Sequence, residues 1–301
     1  MKAILLHRCS DQTGEAATWL SGPELFLWVD IDGGILHTYD PKDGTVTEHL
    51  FSELISSIIP RKGNDAEVIL ALKNRLISYH LTDQTFTTLL EIDGLRPFLR
   101  TNDCKASPEG RIWLGVMHMN DHRQTGTLYR VDSDLSLNRV LEHQSIPNGL
   151  VWNKEGDKMY YADSGRGCIE EYAYDRTTGS IRLIRTAIQV PPEYGVPDGM
   201  TIDADGLLWV AHWGGFGVYI WNPENGQLVN KIEVPVPNVA SCTFGGTERR
   251  LLFITTARSG LTDAEKEIYP LSGSLFVAEV PDVIPGENHY PFCNRIKNDV
   301  I

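Results

Sequence analysis

Residues 25–44 read LFLWVDIDGGILHTYDPKDG, and residues 207–226 read LLWVAHWGGFGVYIWNPENG. Each segment contains an apolar run, a short gap, a second apolar run, and a turn that combines Asp or Asn with Pro and Gly. Asp and Asn hydrogen-bond to their own backbone in turns, and Gly adopts positive φ at little steric cost. Both segments therefore predict two consecutive β-strands and a tight turn into a third.

The same pattern occurs six times along the 301 residues. One residue in the predicted first strand marks each copy: Trp28, Ile69, Trp113, Tyr160, Trp209 and Phe253. Successive markers are 41, 44, 47, 49 and 44 residues apart, which is the length of one four-stranded propeller blade. The sequence thus predicts an all-β fold, a single six-bladed β-propeller that occupies residues 1–301 as one domain. A β-sandwich or a pair of barrels is the alternative, and residues 54–59 and 261–268 are candidates for short loop helices.

Charge and cysteine content restrict the partners. The chain has 27 Lys and Arg against 40 Asp and Glu, a formal net charge of −13, whereas nucleic-acid binding requires basic side chains that neutralise phosphates. The five cysteines are far apart and form no CxxC pair, which argues against a cysteine zinc cluster and suits reduced thiols in the cytoplasm. No apolar run approaches the roughly 18 residues of a membrane span. We therefore expect a cytoplasmic protein without nucleic-acid or membrane partners.

Polar residues recur at one position ahead of the predicted first strands. Glu15 lies 13 residues before its marker, Asn102 lies 11, Asn148 lies 12 and Asp198 lies 11 residues before theirs. Equivalent positions of successive blades converge on the axis of a propeller, so we expect these side chains on loops at the mouth of a central channel. In the two remaining blades the equivalent residues are Ile58 or Ile59, and Ser241.

Glu15, Asn148 and Asp198 are candidate metal ligands. Carboxylate and carboxamide oxygens suit a hard divalent cation, and three protein ligands leave coordination positions open to water or substrate. Taken singly, Pro147-Asn148-Gly149 and Pro197-Asp198-Gly199 are equally typical of turns. The recurrence at one blade position is what favours a shared metal site over separate turns.

Short motifs along almost the whole chain match those of one protein family, in the same order. They are Gly14-Glu15-Ala-Ala-Thr-Trp19, Leu27-Trp-Val-Asp30-Ile, Arg100-Thr-Asn102-Asp103, Gly110-Arg-Ile-Trp-Leu-Gly115-Val-Met117, Pro147-Asn148-Gly149-Leu150, Tyr161-Ala-Asp163-Ser164, Pro197-Asp198-Gly199-Met200, Trp213-Gly214-Gly215 and Pro270-Leu-Ser-Gly-Ser-Leu-Phe276. The sequence resembles the family of senescence-marker protein, gluconolactonase and regucalcin. The family usually has Gly-Glu-Gly-Pro and Asn-Asp-Gly, where this chain has Ala16 and Ala17 after the Glu and Cys104 after the Asp.

The resemblance implies that one divalent metal ion is bound by Glu15, Asn148 and Asp198. Ca²⁺ is the expected ion, with Zn²⁺, Mg²⁺, Mn²⁺ and Fe²⁺ as alternatives. It also implies that Arg100 and Asn102 orient a small sugar lactone.

Some members of the family bind substrate through a Glu shortly after the Gly-x-Met motif. This chain has no Glu there, and the segment reads His118-Met119-Asn120-Asp121-His122. We expect His118 and Asn120 to contact the substrate in its place. His122 and His212 are expected to contact substrate or solvent rather than a metal ion.

The implied reaction is metal-dependent hydrolysis of an aldonolactone, a gluconolactone-like hexono- or pentonolactone, to the aldonic acid by a monomer or weak homodimer. Asp198 is the first candidate for the general base. Because a bound cation lowers the proton affinity of its ligands, Asp103 and Asp163 are further candidates. Two other functions remain open: a different metal-dependent esterase or phosphotriesterase on the same propeller, and a non-catalytic calcium-binding protein.

Overall fold

A computed structural model describes residues 1–92, 94–120, 122–287 and 289–293. Within these residues, 24 strands form six antiparallel sheets of four strands each. The first strand of each sheet contacts the first strands of the two adjacent sheets, so six inner strands surround a central channel. This is the predicted six-bladed β-propeller, and the alternatives of a sandwich or a pair of barrels are wrong.

The strands are given blade by blade, from the channel outward. Blade 1 contains β2 (Gly14–Leu20), β3 (Leu25–Asp30), β4 (Ile35–Asp40) and β5 (Thr45–Leu50); blade 2 contains β6 (Ile55–Pro60), β7 (Glu67–Leu72), β8 (Arg75–His80) and β9 (Phe86–Glu91). Blade 3 contains β10 (Leu99–Ala106), β11 (Ile112–His118), β12 (Gly126–Val131) and β13 (Leu137–Gln144); blade 4 contains β14 (Pro147–Trp152), β15 (Lys158–Asp163), β16 (Cys168–Asp175) and β17 (Ser180–Gln189). Blade 5 contains β18 (Val196–Ile202), β19 (Leu208–Trp213), β20 (Gly217–Asn222) and β21 (Gln227–Glu233); blade 6 contains β22 (Val239–Gly245), β23 (Leu251–Thr256), β24 (Leu275–Glu279) and β1 (Ile4–His7).

Blade 6 is completed by the N-terminal strand. Strand β1 pairs antiparallel with β24, where Ile4 lies opposite Val277. The two ends of the propeller are thus joined in one sheet by backbone hydrogen bonds, which closes the ring and leaves no gap between the first and last blades.

The predicted strands are present, but each lies one place further from the axis than expected. The apolar runs that mark the six repeats form the second strands, and a further strand precedes each of them on the channel side. These inner strands, such as GEAATWL and VPDGMTI, lack the alternation of apolar and polar residues that identifies a strand. The predicted helix at residues 54–59 is wrong, because this segment lies mainly in β6, whereas helix α1 (Asp263–Ile268) falls within the predicted segment 261–268.

All six inner strands carry a β-bulge at nearly the same level of the channel. A bulge places an extra residue in one strand, bends the strand, and changes the direction of the side chains at that point. The pairing register shifts between Glu15 and Thr18, Ile55 and Ser57, Thr101 and Cys104, Asn148 and Leu150, Pro197 and Met200, and Val239 and Ser241. In blade 2 this level is occupied by Ser56, so the prediction of Ile58 or Ile59 is wrong.

The described C-terminal residues, 285–287 and 289–293, cross the end of the channel where the inner strands finish and are called the C-terminal segment. Pro285 forms a bridge with Asp203 of blade 5, Phe292 forms one with Arg61 of blade 2, and the Cys293 amide donates to the Gly110 carbonyl of blade 3 at 3.1 Å. The ring of Phe292 is buried and anchors the segment. The channel is therefore covered at this end. No helix in the described part of the chain is long and apolar enough to cross a membrane.

Candidate metal and substrate site

The three predicted metal ligands lie at the bulges, close to the start of their inner strands. Glu15 is in β2, Asn148 in β14 and Asp198 in β18, so the prediction that they lie on loops is wrong. Each side chain leaves its strand where the regular pairing is interrupted, and it is therefore free to face the channel.

Close contact between neighbouring inner strands explains why a glycine follows both Asn148 and Asp198. A Cβ atom on Gly149 would lie 2.5 Å from the Asp198 carbonyl oxygen, and one on Gly199 would lie 2.7 Å from the Ser241 hydroxyl. Neither glycine has a positive φ. Glycine is needed here because neighbouring inner strands approach each other closely, and the alternative that these tripeptides form separate turns is wrong.

Two buried oxygen atoms at this level lack hydrogen-bond donors. Asn148 Nδ2 donates to Ser164 Oγ at 3.0 Å, and Ser164 Oγ donates to the Pro197 carbonyl at 2.7 Å. Asn148 Oδ1 has no hydrogen-bond partner in the described part of the chain, and Asp198 Oδ1 has none there either. A buried acceptor without a donor costs about 1–3 kcal/mol, and a hard cation that accepts oxygen ligands would remove that cost.

Carboxylates concentrate around these oxygens. Burial, followed by the charge of Asp103, raises the pKa of Glu15 to about 8. Burial and then the charges of Glu15 and Asp103 raise the pKa of Asp198 well above its ordinary value. The carboxyl groups of Glu15 and Asp198 together with the Asn148 oxygen form the kind of oxygen donor set that Ca²⁺ or Mg²⁺ takes, and Asp103 adds a third carboxyl group beside them. Among the described residues, no three His, Cys, Asp or Glu side chains already stand in a metal-binding arrangement, and the third candidate ligand is an asparagine.

Arg100 and Asn102 lie beside the carboxylates. Arg100 Nη1 donates to Asn102 Oδ1 at 2.7 Å and to the Thr101 carbonyl at 2.9 Å. Asn102 Nδ2 in turn donates to the Pro147 carbonyl at 2.9 Å, so its amide is engaged at both ends. The guanidinium charge partly opposes the rise in the pKa of Glu15 and Asp198, so positive charge lies close to the candidate metal site.

Asp103 occupies the same bulge as Asn102 and also faces the channel. Burial raises its pKa, and the Lys105 ammonium opposes that effect. Asn102 and Asp103 together lie opposite the single residue Gly115, so two successive side chains can both point away from the sheet. From the sequence, Asp103 was predicted only as a candidate base. The bulge explains why its side chain lies near those of Glu15 and Asp198.

His118 and Asn120 lie at the end of β11 and in the loop that follows. The His118 ring is stacked between Phe98 at 4.8 Å and His122 at 4.1 Å, and its Nδ1 accepts from the Asn120 amide at 3.0 Å. Both ring faces are covered, so only the ring edge of His118 is available to a substrate. Asn120 is exposed, and Asp121 lies outside the described residues.

Two residues proposed from the sequence have structural roles instead. The Asp163 carboxylate accepts from the amides of Ser145, Ile146 and Gly165; it fixes the chain that enters β14, and its contacts do not support a role as base. His212 is buried and accepts from Trp221 Nε1 at 3.2 Å, while its other nitrogen contacts the Tyr194 carbonyl at 2.9 Å. Burial lowers the pKa of His212 to about 4, so it is a neutral core residue that contacts neither solvent nor substrate.

Ser164 and Lys105 are the functional candidates that sequence reasoning missed. Ser164 orients the Asn148 amide from a neighbouring strand end, and the only sequence signal was its place in the motif Tyr161-Ala-Asp163-Ser164. Lys105 lies in the channel two residues after Asp103, and its Nζ donates to the Met200 carbonyl at 2.9 Å. A lysine in a polar segment carries no signal of burial until the strand is seen to face the channel.

The chain is similar to known proteins over most of its length. The family model described as "SMP-30/Gluconolactonase/LRE-like region" matches residues 13–258. The protein named "Putative sugar lactone lactonase YvrE" from Bacillus subtilis is 34% identical over 93% of this chain and 95% of its own length. Regucalcin from Xenopus laevis is 32% identical over 87% of this chain and 89% of its own length.

A solved structure shares the same fold. The calcium-binding protein regucalcin from Agrobacterium tumefaciens superposes with a TM-score of 0.89 over 98% of this chain and 97% of that chain, at 23% identity. The extent of the family match and the identity to the two relatives confirm the resemblance seen in the motifs. The chain belongs to the SMP-30/gluconolactonase/LRE-like family.

Proposed function

We propose that this protein hydrolyses a sugar lactone, an aldonolactone of the hexono or pentono class, to the aldonic acid with the help of one divalent metal ion. The observation that carries the proposal is the pair of buried oxygens on Asn148 and Asp198, among the channel carboxylates, that have no hydrogen-bond partner within the described residues. The names of the family and of the Bacillus subtilis relative support the substrate class.

Glu15, Asn148 and Asp198 would hold the ion, and Ca²⁺ is the first choice because all the ligands are oxygens. When bound, such an ion supplies Lewis-acid polarisation of the lactone carbonyl and a lowered pKa for a nearby water. The donor chemistry fits this group, because both orphaned oxygens belong to the candidate ligands.

Arg100 binds and orients the substrate. Its guanidinium is held by the Asn102 side chain and the Thr101 carbonyl, so it points in a fixed direction beside the metal ligands. A fixed charged donor suits the hydroxyl and ring oxygens of a sugar lactone, and charged hydrogen bonds are the stronger ones. Substrate orientation converts binding energy into rate, because the reacting atoms then meet in a productive geometry.

Asp103 accepts the proton of the attacking water. Burial raises the pKa of Asp103, which brings a carboxylate closer to the proton affinity that a general base needs near neutral pH. Asp198 is the other candidate, but a carboxylate that binds a cation loses proton affinity. The division of roles is therefore Asp198 for the metal and Asp103 for the proton.

The test is a comparison of substrate classes with purified protein and saturating Ca²⁺ or Mn²⁺. Initial rates are measured on glucono-, galactono- and pentonolactones, on an aryl ester and on a phosphotriester, with spontaneous lactone opening subtracted. We expect kcat/KM to be highest for a sugar lactone. Higher kcat/KM for the aryl ester or the phosphotriester would instead favour a different esterase on the same propeller, and metal binding without any hydrolysis would favour a calcium-binding protein.

A further inference from the structure

Lys105 is a basic side chain inside the channel that the proposed reaction does not use. It belongs to the inner strand of blade 3, and its Nζ donates to the Met200 carbonyl in the inner strand of blade 5 at 2.9 Å. Blade 4 lies between these two blades in the ring. The side chain therefore passes across the channel rather than along the contact between neighbouring blades.

The surroundings of Lys105 form the inner part of the channel, next to the candidate site. A small cavity of about 20 Å³ is lined by Asp103, Lys105, Met200, Ser241 and His289, among others. His289 comes from the C-terminal segment and lies 2.5 Å from Thr243 Oγ1 through its Nε2. Lys105 thus lies between the carboxylates at the bulges and the segment that covers the far end of the channel.

Charge links Lys105 to Asp103 in particular. Burial lowers the pKa of Lys105 and the Asp103 charge opposes this shift, while burial raises the pKa of Asp103 and the Lys105 charge opposes that one; both side chains line the same small cavity. Arg100 acts instead on Glu15 and Asp198. The positive charge that acts on Asp103 is therefore that of Lys105, and the charge that acts on Glu15 and Asp198 is that of Arg100. The Lys105 ammonium is also fixed by its hydrogen bond to the Met200 carbonyl.

We propose that Lys105 is a positioning residue for the reaction: fixed to the Met200 carbonyl across the channel, its ammonium balances the Asp103 carboxylate and leaves the metal ion to Glu15, Asn148 and Asp198. This inference rests on the proposed function for its kinetic part. Its electrostatic part concerns metal binding alone. Without Lys105, a divalent cation meets an uncompensated third carboxylate, so Asp103 is drawn towards the metal and away from its role as proton acceptor.

The first experiment measures metal binding without any substrate. Metal-free wild-type protein and the Lys105→Met variant are titrated with Ca²⁺ and with Mn²⁺ by calorimetry, and the same change is made in an Asp103→Asn background to complete a double-mutant cycle. We expect Lys105→Met to tighten metal binding at least fivefold in the wild-type background and at least threefold less in the Asp103→Asn background. Equal effects in the two backgrounds, or weaker metal binding in Lys105→Met, would overturn the proposal.

The second experiment separates positioning from folding. At saturating metal, Lys105→Met is expected to lower kcat at least tenfold with little change in KM, and Lys105→Arg to retain more activity than Lys105→Met. Lys158→Met serves as the control, because the partly exposed Lys158 also pairs with a buried carboxylate, Glu171 at 3.1 Å, but does so between β15 and β16 of blade 4, outside the inner strand. If Lys158→Met lowers kcat as much as Lys105→Met, the effect of Lys105 is one of stability and the proposal is wrong. If the wild type hydrolyses no lactone, the proposed function fails while the calorimetric cycle still decides the role of Lys105.

Discussion

Ser164 orients Asn148: the Asn148 Nδ2 donates to Ser164 Oγ at 3.0 Å, so that Oδ1 is the amide atom left without a partner in the described chain. The orientation is itself fixed, because the same hydroxyl donates to the Pro197 carbonyl next to Asp198. One serine thus couples two candidate ligands from blades 4 and 5. Residues that orient metal ligands in this way often matter nearly as much as the ligands themselves.

Replacing Ser164 with alanine should weaken metal binding without removing a ligand. The Asn148 amide loses its anchor and can rotate, and loss of such an orienting contact typically costs about 10- to 100-fold in metal affinity. Calorimetric titration with Ca²⁺ or Mn²⁺ measures the change. Ser272→Ala is the matched control, because Ser272 is also buried but its hydroxyl has no partner among the described residues. Unchanged affinity in Ser164→Ala would show that Asn148 does not bind the metal through this oxygen.

Removal of a ligand, or of the negative charge of a carboxylate ligand, should abolish metal binding and turnover together. Asp198→Asn, Asn148→Ala and Glu15→Gln are expected to behave alike, since three protein ligands leave little redundancy. Asp203→Asn is the control, because Asp203 lies directly after β18 and bonds to Trp209 Nε1 at 2.8 Å instead of facing the site. Metal titration and steady-state kinetics are the measurements. An Asp198→Asn variant that binds metal as tightly as the wild type would show that the ion lies elsewhere.

Arg100→Ala should separate substrate binding from metal binding. Loss of a charged hydrogen bond is worth about 1.5–3 kcal/mol, which is about a 10- to 100-fold decrease in kcat/KM when the bond acts in the transition state. Metal affinity should not weaken, since the change removes a positive charge from the site. Arg111→Ala, which breaks an ion pair with Asp132 at 3.0 Å on the loop between β10 and β11, should leave kcat/KM unchanged. Full activity in Arg100→Ala would place the substrate elsewhere in the channel.

The metal-free protein should lose stability as pH rises. The folded-state pKa of Glu15 is raised to about 8, above its unfolded value of about 4.3, so the folded state binds more protons between these values. Stability that is present below about pH 4.3 is therefore lost progressively as pH rises towards 8, and the raised pKa of Asp198 acts in the same direction. A metal ion reverses the effect, so the Tm increase that Ca²⁺ produces should grow with pH. Thermal melts from pH 5.5 to 8 test this, and Glu15→Gln should flatten the slope. A metal-free Tm that depends on pH equally in both proteins would contradict the assignment.

Backbone strain beside Glu15 gives a prediction on stability alone. Ala16 has φ of 56°, a left-handed conformation that costs an L-residue about 1–2 kcal/mol, while Ala17 does not. Both methyl groups are buried, so Ala16→Gly and Ala17→Gly remove similar contacts. We therefore expect Ala16→Gly to be more stable than Ala17→Gly by about 1 kcal/mol in denaturant unfolding. Equal stability of the two variants would show that Ala16 is not strained.

The propeller was predictable from sequence because its second strands repeat. Large buried residues such as Trp28 and Trp113 fill the space between blades. Each blade needs such a residue in its second strand, and several blades also have a turn that contains Asp or Asn and Gly. The inner strands were not predictable, because they face a polar channel and contain glycines where two inner strands approach each other closely. Gly149, which lies beside the Asp198 carbonyl, is an example. Their alternation is broken by bulges, which the sequence does not reveal.

The candidate ligands were found for the same reason as the fold, since Glu15, Asn148 and Asp198 keep one place in their repeats. The contacts among them depend on long-range geometry. Only the structure shows that Asp163 is saturated by backbone amides and that His212 is enclosed by the core. Both are residue types that commonly occur in active sites, but their contacts in the structure show that they stabilise the fold.

Metal-dependent hydrolysis of a sugar lactone by this channel is tested most directly by removing and restoring the metal. Protein dialysed against chelator is assayed on glucono-1,5-lactone and on the aldonolactone with the highest kcat/KM, with spontaneous opening subtracted, and Ca²⁺, Mg²⁺, Mn²⁺ and Zn²⁺ are then added back singly. We predict no activity above the spontaneous rate without metal, recovery at one equivalent of the preferred ion, and no recovery in Asp198→Asn. Full activity in the chelated wild-type protein, or equal recovery in Asp198→Asn, would contradict the account.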